Sequence, residues 1–188
     1  MNVNINISAR HVHLTEESIR ILFEDGLHLK RKLNQIGQYA CEECVRIKHN
    51  DKVIENVRVV GPARGYNQVE LSKSDARKLG LDLPVRKSGV LTDAGEVTIE
   101  TNLGSITGNF AIIADRHVHF SPSDAIKYGV VEDQVLKLKI GGVKPGIIAV
   151  KAKISDDGFY EAHLDTDDAN AFLINPGDIG ELEKWVLK

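Results

Sequence analysis

The sequence Arg-His-Val-His occurs twice in the chain. In each copy one residue separates the two histidines, and alternate residues of a β-strand point to the same face of a sheet. Two imidazole rings on one face form a common pair of metal ligands. A single His-X-His is usually an ordinary surface pair, but its repetition in matching surroundings predicts two metal sites. The histidines concerned are His11, His13, His117 and His119.

Both copies belong to a longer repeated pattern. A strand end is followed by a large apolar residue, then by a Thr, Ser or Asp that can cap a helix, then by a short helical segment. The pattern returns after Glu70 and after His163. In all four cases the residue before the apolar position can bind a metal: His13, Glu70, His119 or His163. The two His-X-His pairs together with Glu70 and His163 therefore offer six ligands, which is three for each of two metals if they are shared evenly.

Three protein ligands are typical of catalytic zinc, which keeps its fourth position open, whereas structural zinc is closed by four. The mixture of imidazole and carboxylate favours zinc, with Fe(II), Mn(II) or Co(II) as substitutes. Outside the repeated pattern, Glu70 and His163 would be interpreted as ordinary polar residues. His28 and His49 have no such pattern around them, and we expect no metal role for either.

Length and charge exclude several classes of function. The 188 residues suffice for one domain or two small ones. A net charge of −3 and an isoelectric point near 6.2 argue against nucleic acid as a partner. No apolar run approaches the length of a membrane span, and the amino terminus alternates like a strand and lacks the features of a signal peptide. We expect a cytoplasmic protein with no membrane partner.

Cys41 and Cys44 form a Cys-X-X-Cys within a segment that alternates like a strand. At this spacing two thiols on a strand face opposite sides and cannot chelate one ion. The sequence has no second Cys-X-X-Cys to complete a four-cysteine site and no βαβ context for a redox motif. We expect both cysteines to be buried and reduced.

Short strands separated by turns dominate the remaining pattern. Hairpins are predicted around residues 102–104 and 141–146. Four short helices are predicted at residues 16–24, 74–79, 122–128 and 167–173, with Gly80 and Gly129 as C-caps. The pattern predicts a mainly β protein with short helices, built as two related β-barrel domains packed together around the metals. The apolar carboxyl end is expected to dock on the body or on a second subunit, which would allow a homodimer.

A turn-rich loop at residues 61–68 brings Arg64 close in sequence to Glu70. A guanidinium beside divalent metals suits a phosphate or carboxylate substrate, because its fork matches two oxyanion oxygens. The spacing alone slightly favours an ordinary solvent-exposed arginine. The sequence contains no G-x-S-x-G elbow, P-loop or G-x-G-x-x-G, which argues against a serine hydrolase, a P-loop enzyme and a dinucleotide enzyme.

These motifs resemble those of the phosphotransacylases typified by the phosphate propanoyltransferase of the propanediol-utilisation microcompartment. The similarity covers nearly the whole chain and rests on residues 8–14, 57–64, 68–70, 116–119 and 163–170. It implies a reversible reaction in which acyl-CoA and inorganic phosphate give acyl phosphate and free CoA. It also implies that the reaction is coupled metabolically to an acyl kinase.

The resemblance further implies two β-barrel domains with a two-zinc site at their interface. One domain would comprise residues 11–115, and the other residues 1–10 plus 116–188, so that the first strand joins the carboxyl-terminal half. One zinc is implied to bind His11, His13 and Glu70, and the other to bind His117, His119 and His163. Arg64 is implied to be the catalytic residue that holds phosphate.

The chain departs from this family in two respects. Its members often carry a basic residue directly after Pro-Ala-Arg, where this chain has Gly65 and Tyr66. Microcompartment members also carry an amphipathic extension before the first strand, whereas this chain begins almost at the strand, so we expect a free cytosolic form without that targeting extension.

Two other functions remain open at the level of the sequence. One is a dinuclear zinc hydrolase of a thioester or phosphoester, which would consume acyl-CoA without phosphate. The other is a small metal-stabilised barrel that binds an anion or a partner protein. The acyl chain is also open, because acetyl, propanoyl and butanoyl groups differ by methylenes worth about 1–3 kcal/mol each.

Overall fold

The computed structural model describes residues 1–185, which form fourteen strands and four helices of seven residues each. The strands are β1 (Asn2–Ser8), β2 (His11–His13), β3 (Leu29–Lys32), β4 (Tyr39–His49), β5 (Lys52–Gly61), β6 (Gln68–Glu70), β7 (Val85–Arg86), β8 (Gly95–Glu100), β9 (Ser105–Ala114), β10 (His117–Phe120), β11 (Val135–Ile140), β12 (Gly146–Ile154), β13 (Glu161–Asp165) and β14 (Ile179–Lys184). The helices are α1 (Glu16–Leu22), α2 (Lys73–Leu79), α3 (Pro122–Tyr128) and α4 (Thr166–Phe172). The predicted docking of the carboxyl end concerns mainly residues 186–188, which lie outside the described residues.

The chain divides into two compact units. One comprises residues 9–114, and the other comprises residues 1–8 together with residues 115–188. The chain therefore passes from one unit to the other twice, and each time a single residue separates the boundary from the arginine of an Arg-His-Val-His motif.

The unit of residues 9–114 contains a closed barrel of six strands in the order β4-β5-β2-β6-β9-β8, in which β8 pairs back onto β4. Strand β3 adds to the outer edge of β4, and β7 adds to β9. The barrel encloses its own apolar core, with residues such as Val12, Val59, Val69 and Ile99 fully buried.

The second unit contains a closed barrel in the order β1-β13-β10-β12-β11-β14. Each of its pairings has a counterpart of the same direction in the first barrel. For example, β10 runs parallel to β12 and antiparallel to β13, as β2 does to β5 and β6. The expected mainly β architecture with two related barrels and short helices is confirmed.

The alternation of apolar and polar residues along the strands explains why each barrel has an apolar interior. In β11 the residues Leu136, Leu138 and Ile140 are buried, while the alternate residues are at least partly exposed. Alternate side chains of a strand lie on opposite faces, so one apolar face is enough to fill the barrel. Full burial of such a side chain contributes about 1.5–3 kcal/mol, so these faces stabilise the closed form.

Each helix begins at its predicted first residue or one residue before it. The side chains of Thr15, Ser72, Ser121 and Asp165 each accept a hydrogen bond from the backbone N–H three residues later. Helix α2 ends at Gly80 and α3 at Gly129, both in the left-handed region that glycine adopts readily. Helix α1 ends at Leu22, two residues earlier than predicted, because Phe23 is already extended. None of the described helices is long and apolar enough to span a bilayer.

The Cys-X-X-Cys segment lies in β4, where a β-bulge between Ala40 and Cys44 interrupts the regular pairing with β5. Both thiols are free. Cys41 is fully buried, and burial raises the pKa of its thiol to about 11. Cys44 is only partly buried, so the expected burial is confirmed for Cys41 alone. Alternation along the strand accounts for the difference, because residues three apart face opposite sides, and Cys41 shares its buried face with Val45 and Ile47.

Candidate metal centres

The first candidate centre lies within the unit of residues 9–114. His11 and His13 share one face of β2, and their rings are 4.9 Å apart. Strand β6 runs antiparallel to β2 and places Glu70 directly opposite His11. The ligand atoms of these three residues all lie within 4.8 Å of one another, and His11 Nε2 is 3.5 Å from Glu70 Oε2. This group can offer two imidazoles and one carboxylate to a metal ion.

The second candidate centre lies within the other unit and is built in the same way. His117 and His119 share one face of β10, and β13 places His163 directly opposite His117. The ring centres are 4.6–5.3 Å apart, and the three ligand atoms lie within 4.8 Å of one another. The structure thus brings together all six residues of the predicted ligand sets, three within each unit.

Hydrogen bonds to the backbone determine which ring nitrogen most of these histidines can offer. The Nδ1 atoms of His11, His13 and His117 lie 2.8–3.1 Å from carbonyl oxygens of the main chain. A carbonyl oxygen only accepts hydrogen bonds, so Nδ1 must carry the proton and Nε2 keeps its lone pair. A second hydrogen bond of this kind orients metal-binding histidines.

The electrostatic surroundings keep two of the histidines neutral. Burial, followed by the proximity of His11, lowers the pKa of His13 to about 3. Burial, followed by the proximity of His117 and His163, lowers the pKa of His119 to about 2. Only a neutral imidazole binds a metal, so at neutral pH these rings are already in the ligand form.

The atomic spacing tests whether zinc fits these residues. In the second centre His117 Nε2 and His119 Nε2 face each other at 3.1 Å. Two ligands of a tetrahedral zinc ion, each at 2.0–2.1 Å, lie about 3.3 Å apart. The 3.1 Å separation and the 3.5 Å between His11 and Glu70 both fall close to this value. The donor atoms and their spacing therefore fit zinc.

The arginine of each Arg-His-Val-His motif forms an ion pair with an aspartate in a helix. Arg10 Nη1 is 3.2 Å from Asp75 Oδ1 in α2, and Arg116 Nε is 2.7 Å from Asp168 Oδ2 in α4. Both aspartates are buried. Sequence reasoning missed these partners, although each aspartate lies three residues after the cap of the helix that follows the third ligand.

Arg64 lies beside the first centre. Its backbone N–H donates to the carbonyl of Leu14 at 2.8 Å, one residue after His13. Its guanidinium is close enough to His13 to contribute to the lowered pKa of that ring. Arg64 Nη1 also donates to the hydroxyl of Tyr66 at 3.2 Å. A cationic fork next to two imidazoles and a carboxylate can bind an oxyanion substrate.

Two further buried polar residues adjoin the centres and were not identified from the sequence. Gln68 lies in β6, two residues before Glu70, and donates to its carboxylate at 2.6 Å. Glu161 lies in β13, two residues before His163, and its carboxylate is 3.0 Å from the ring of that histidine. Their matching places in the repeated pattern are a signal that could have identified them.

A comparison with protein families identifies the chain. The family model described as phosphate propanoyltransferase matches residues 4–175, which include both candidate centres and Arg64. The chain belongs to the phosphate propanoyltransferase family. The family resemblance and the enzyme class expected from the sequence, acyltransferase, are confirmed.

Relatives in the phosphate propanoyltransferase family match over most of their length. The phosphate propanoyltransferase of Shewanella putrefaciens is 40% identical over 179 residues, covering 93% of this chain and 85% of that protein. The phosphate propanoyltransferase of Thermotoga maritima is 41% identical over 180 residues, covering 93% of this chain and 86% of that protein. The phosphate propanoyltransferase of Lachnoclostridium phytofermentans is 37% identical over 181 residues, covering 94% of this chain and 85% of that protein.

Proposed function

We propose that this protein is a phosphotransacylase that interconverts a short-chain acyl-CoA and inorganic phosphate with acyl phosphate and CoA. Propanoyl-CoA and acetyl-CoA are the proposed acyl donors, the first because the relatives are named for propanoyl transfer. The observation that supports the proposal most directly is the position of Arg64 beside His11, His13 and Glu70, within a chain that matches the family over residues 4–175.

The proposed cofactor is zinc, with two ions per chain. His11, His13 and Glu70 would hold one ion, and His117, His119 and His163 would hold the other. When bound, zinc would supply Lewis acidity toward an oxygen of phosphate or of the thioester carbonyl. The family resemblance also predicts that the two barrels act as two domains around a shared two-zinc site, and this arrangement stays a prediction.

In this proposal Arg64 binds phosphate as a charged fork. Two N–H groups of the guanidinium would donate to two phosphate oxygens and offset part of the negative charge. The hydroxyl of Tyr66 accepts a hydrogen bond from Nη1 and limits the directions that the guanidinium can take. Holding phosphate and acyl-CoA in one geometry removes much of the entropic barrier of a two-substrate reaction.

The chemical step forms one bond and breaks another. A phosphate oxygen attacks the carbonyl carbon of the thioester, the carbon–sulfur bond breaks, and CoA leaves as a thiolate that takes a proton from solvent. Phosphate itself is the nucleophile, so the proposal needs no acyl-enzyme. The buried thiol of Cys41 has its pKa raised to about 11 by burial, which makes it a poor nucleophile at neutral pH.

The test is to measure release of free CoA from acetyl-CoA and propanoyl-CoA, with and without phosphate, on protein of known zinc content. We expect release that depends on phosphate and yields acyl phosphate. Equal release without phosphate would favour a thioester hydrolase, and no release by zinc-loaded protein would leave the metal-stabilised binding module. Either of these two results would overturn the proposal.

A further inference from the structure

The second metal centre differs from the first in its own charge. His11, His13 and Glu70 include a carboxylate, whereas His117, His119 and His163 offer three neutral rings. Lys153 pairs with His119 from β12, and its positive charge contributes to the lowered pKa of that ring. A nearby negative charge would therefore stabilise a divalent cation at this centre, because its three ligands supply none.

Glu161 supplies a negative charge at this place. It is only 5% exposed and pairs with His119 from β13, the strand on the opposite side of β10 from Lys153. Its Oε2 accepts a hydrogen bond from the side chain of Asn6 at 3.1 Å and lies 3.0 Å from Nε2 of His163. A buried carboxylate with two such partners is held in one orientation.

We propose that Glu161 is a positioning residue of the second metal centre, which orients His163 and supplies the charge that its three imidazoles lack. This inference rests on the proposed function. Because Nε2 of His163 lies within hydrogen-bond distance of Glu161, Nδ1 would be the nitrogen left to bind an ion. Among the described residues the group of mutually close ligand atoms does not include Glu161, so Glu161 acts through His163. A carboxylate behind a ligand histidine fixes the tautomer and the orientation of its ring.

The other barrel supports this interpretation independently. The position two residues before the third ligand holds Gln68 there, which is fully buried. Its Nε2 donates to Glu70 Oε1 at 2.6 Å, and its Oε1 accepts from the backbone N–H of Gly89 at 2.7 Å. Each barrel thus places a partner of complementary chemistry at the same position: an amide donor for the carboxylate ligand, and a carboxylate acceptor for the imidazole ligand.

The test measures metal affinity rather than turnover. Zinc is titrated into metal-free protein in competition with a chromophoric chelator, in a Glu70→Ala background that leaves only the second centre intact. Substituting Glu161→Gln, which introduces the residue type found in the first barrel, is expected to weaken zinc binding about 10-fold to 100-fold. Glu161→Asp, which keeps the carboxylate, is expected to restore part of the affinity.

Two further variants make the result specific. Glu181→Gln removes the same charge from an exposed position of the same barrel and should leave zinc affinity unchanged. Asn6→Ala removes the other hydrogen bond to Glu161 and should weaken zinc binding by a few-fold, so the proposal stays testable even if Glu161→Gln does not fold.

The outcomes separate this inference from the proposed function. Unchanged zinc affinity in Glu161→Gln would overturn the role of Glu161 while leaving the two metal centres in place. A lower melting temperature of the metal-free protein with unchanged affinity would show a structural role only and would also overturn it. If the unsubstituted chain bound no zinc at either centre, the metal part of the proposed function would itself be wrong.

Discussion

The orientation of each candidate ligand histidine depends on the hydrogen-bond partners of its ring. In both copies of the motif the first histidine donates Nδ1–H to the carbonyl two residues earlier, Ala9 for His11 and Asp115 for His117. The second histidines differ, since His13 bonds to the carbonyl of Val60 whereas His119 Nδ1 is buried with no hydrogen-bond partner among the described residues. The orientation of His119 is therefore set by its neighbouring rings rather than by the backbone.

We expect the substitution His119→Ala to remove one of the two proposed zinc ions, because it takes one of three ligands from the second centre. Metal analysis of the purified variant measures the loss. His49→Ala is the matched control, since His49 bonds to the carbonyl of Leu79 and lies in neither candidate centre. A full zinc content in His119→Ala would contradict the ligand assignment.

Arg64→Ala should raise the KM for phosphate about 10-fold to 150-fold, the range given by the loss of about 1.5–3 kcal/mol from hydrogen bonds to a charged group. Zinc content should not change, because Arg64 is not among the proposed ligands. Steady-state kinetics at varied phosphate provide the measurement. Arg86→Ala is the control, since that guanidinium bonds to Asp93 and the carbonyl of Thr92 instead; unaltered phosphate kinetics in Arg64→Ala would refute its role.

The pair formed by exposed His28 and partly buried Glu43 predicts a pH dependence away from the metal centres. Hydrogen bonding to Glu43 raises the pKa of His28 above 6.5. Burial opposes ionisation of Glu43, but hydrogen bonds from the backbone and ring of His28 lower its pKa below 4.5. The contribution of His28 to the free energy of unfolding is complete below pH 6.5, and it is lost as the pH rises through the raised pKa of the ring. The contribution of Glu43 to the free energy of unfolding is present above pH 4.5, and it is lost as the pH falls through the lowered pKa of the carboxyl.

The pair should therefore stabilise the protein most between about pH 4.5 and pH 6.5. Following the His28 ring by NMR during a pH titration tests this directly. In the native chain we expect a midpoint above 6.5, and in Glu43→Gln a midpoint close to the ordinary value for histidine. Identical midpoints in the two proteins would show that the pair does not form in solution.

At the scale of the elements, each metal centre requires two short strands and the helix that follows the second strand. Strands β2 and β6 are only three residues long, so few ladder hydrogen bonds hold their register. The Arg10–Asp75 pair joins the start of β2 to the first turn of α2, and the Arg116–Asp168 pair does the same for β10 and α4. These ion pairs therefore help to hold in place short strands that carry the candidate ligands.

We expect Arg10→Ala to lower the free energy of unfolding by about 1–2 kcal/mol, because it leaves the buried carboxylate of Asp75 with a weaker partner. This range allows for the exposure of the Arg10 side chain, which is 40%. Urea denaturation of metal-free protein measures the change. Arg86→Ala, whose partner Asp93 is exposed, should change stability by less than about 0.5 kcal/mol; equal losses in the two variants would contradict the argument.

At the scale of the whole molecule, β1 and β9 each belong to a different barrel from the strand that follows them in the chain. Strand β1 precedes β2 in the chain but pairs with β13 and β14 of the other unit. Strand β9 precedes β10 but pairs with β6 and β8. Each barrel is therefore closed by the strand that comes directly before the other barrel's Arg-His-Val-His motif.

This arrangement predicts an asymmetry between fragments. Residues 9–114 contain every strand of their barrel, so we expect this fragment to fold alone with a cooperative thermal transition. A fragment of residues 115–188 lacks β1, whose buried Val3 and Ile5 help to fill its core, and should stay unfolded until a peptide of residues 1–8 is added. Circular dichroism of the fragments decides between these outcomes. Independent folding of residues 115–188 would show that β1 is dispensable.

The sequence by itself determined the features that depend on local spacing. The duplicated His-X-His, the helix caps at Thr15 and Ser72, and the glycine that ends α2 all follow from which residue stands next to which. The candidate ligands Glu70 and His163 also came from local repetition, since each occupies the place in the pattern that a histidine of the motif occupies elsewhere.

Only the tertiary structure decided which distant groups meet. The pairing of His11 with Glu70, the two arginine–aspartate pairs and the pairing of β1 and β9 within their barrels join residues far apart in the chain. The same holds for Glu161, whose carboxylate meets Asn6 from the opposite end of the sequence. Alternation and capping fix the direction of a side chain along its own element, whereas its partner depends on how the barrels close.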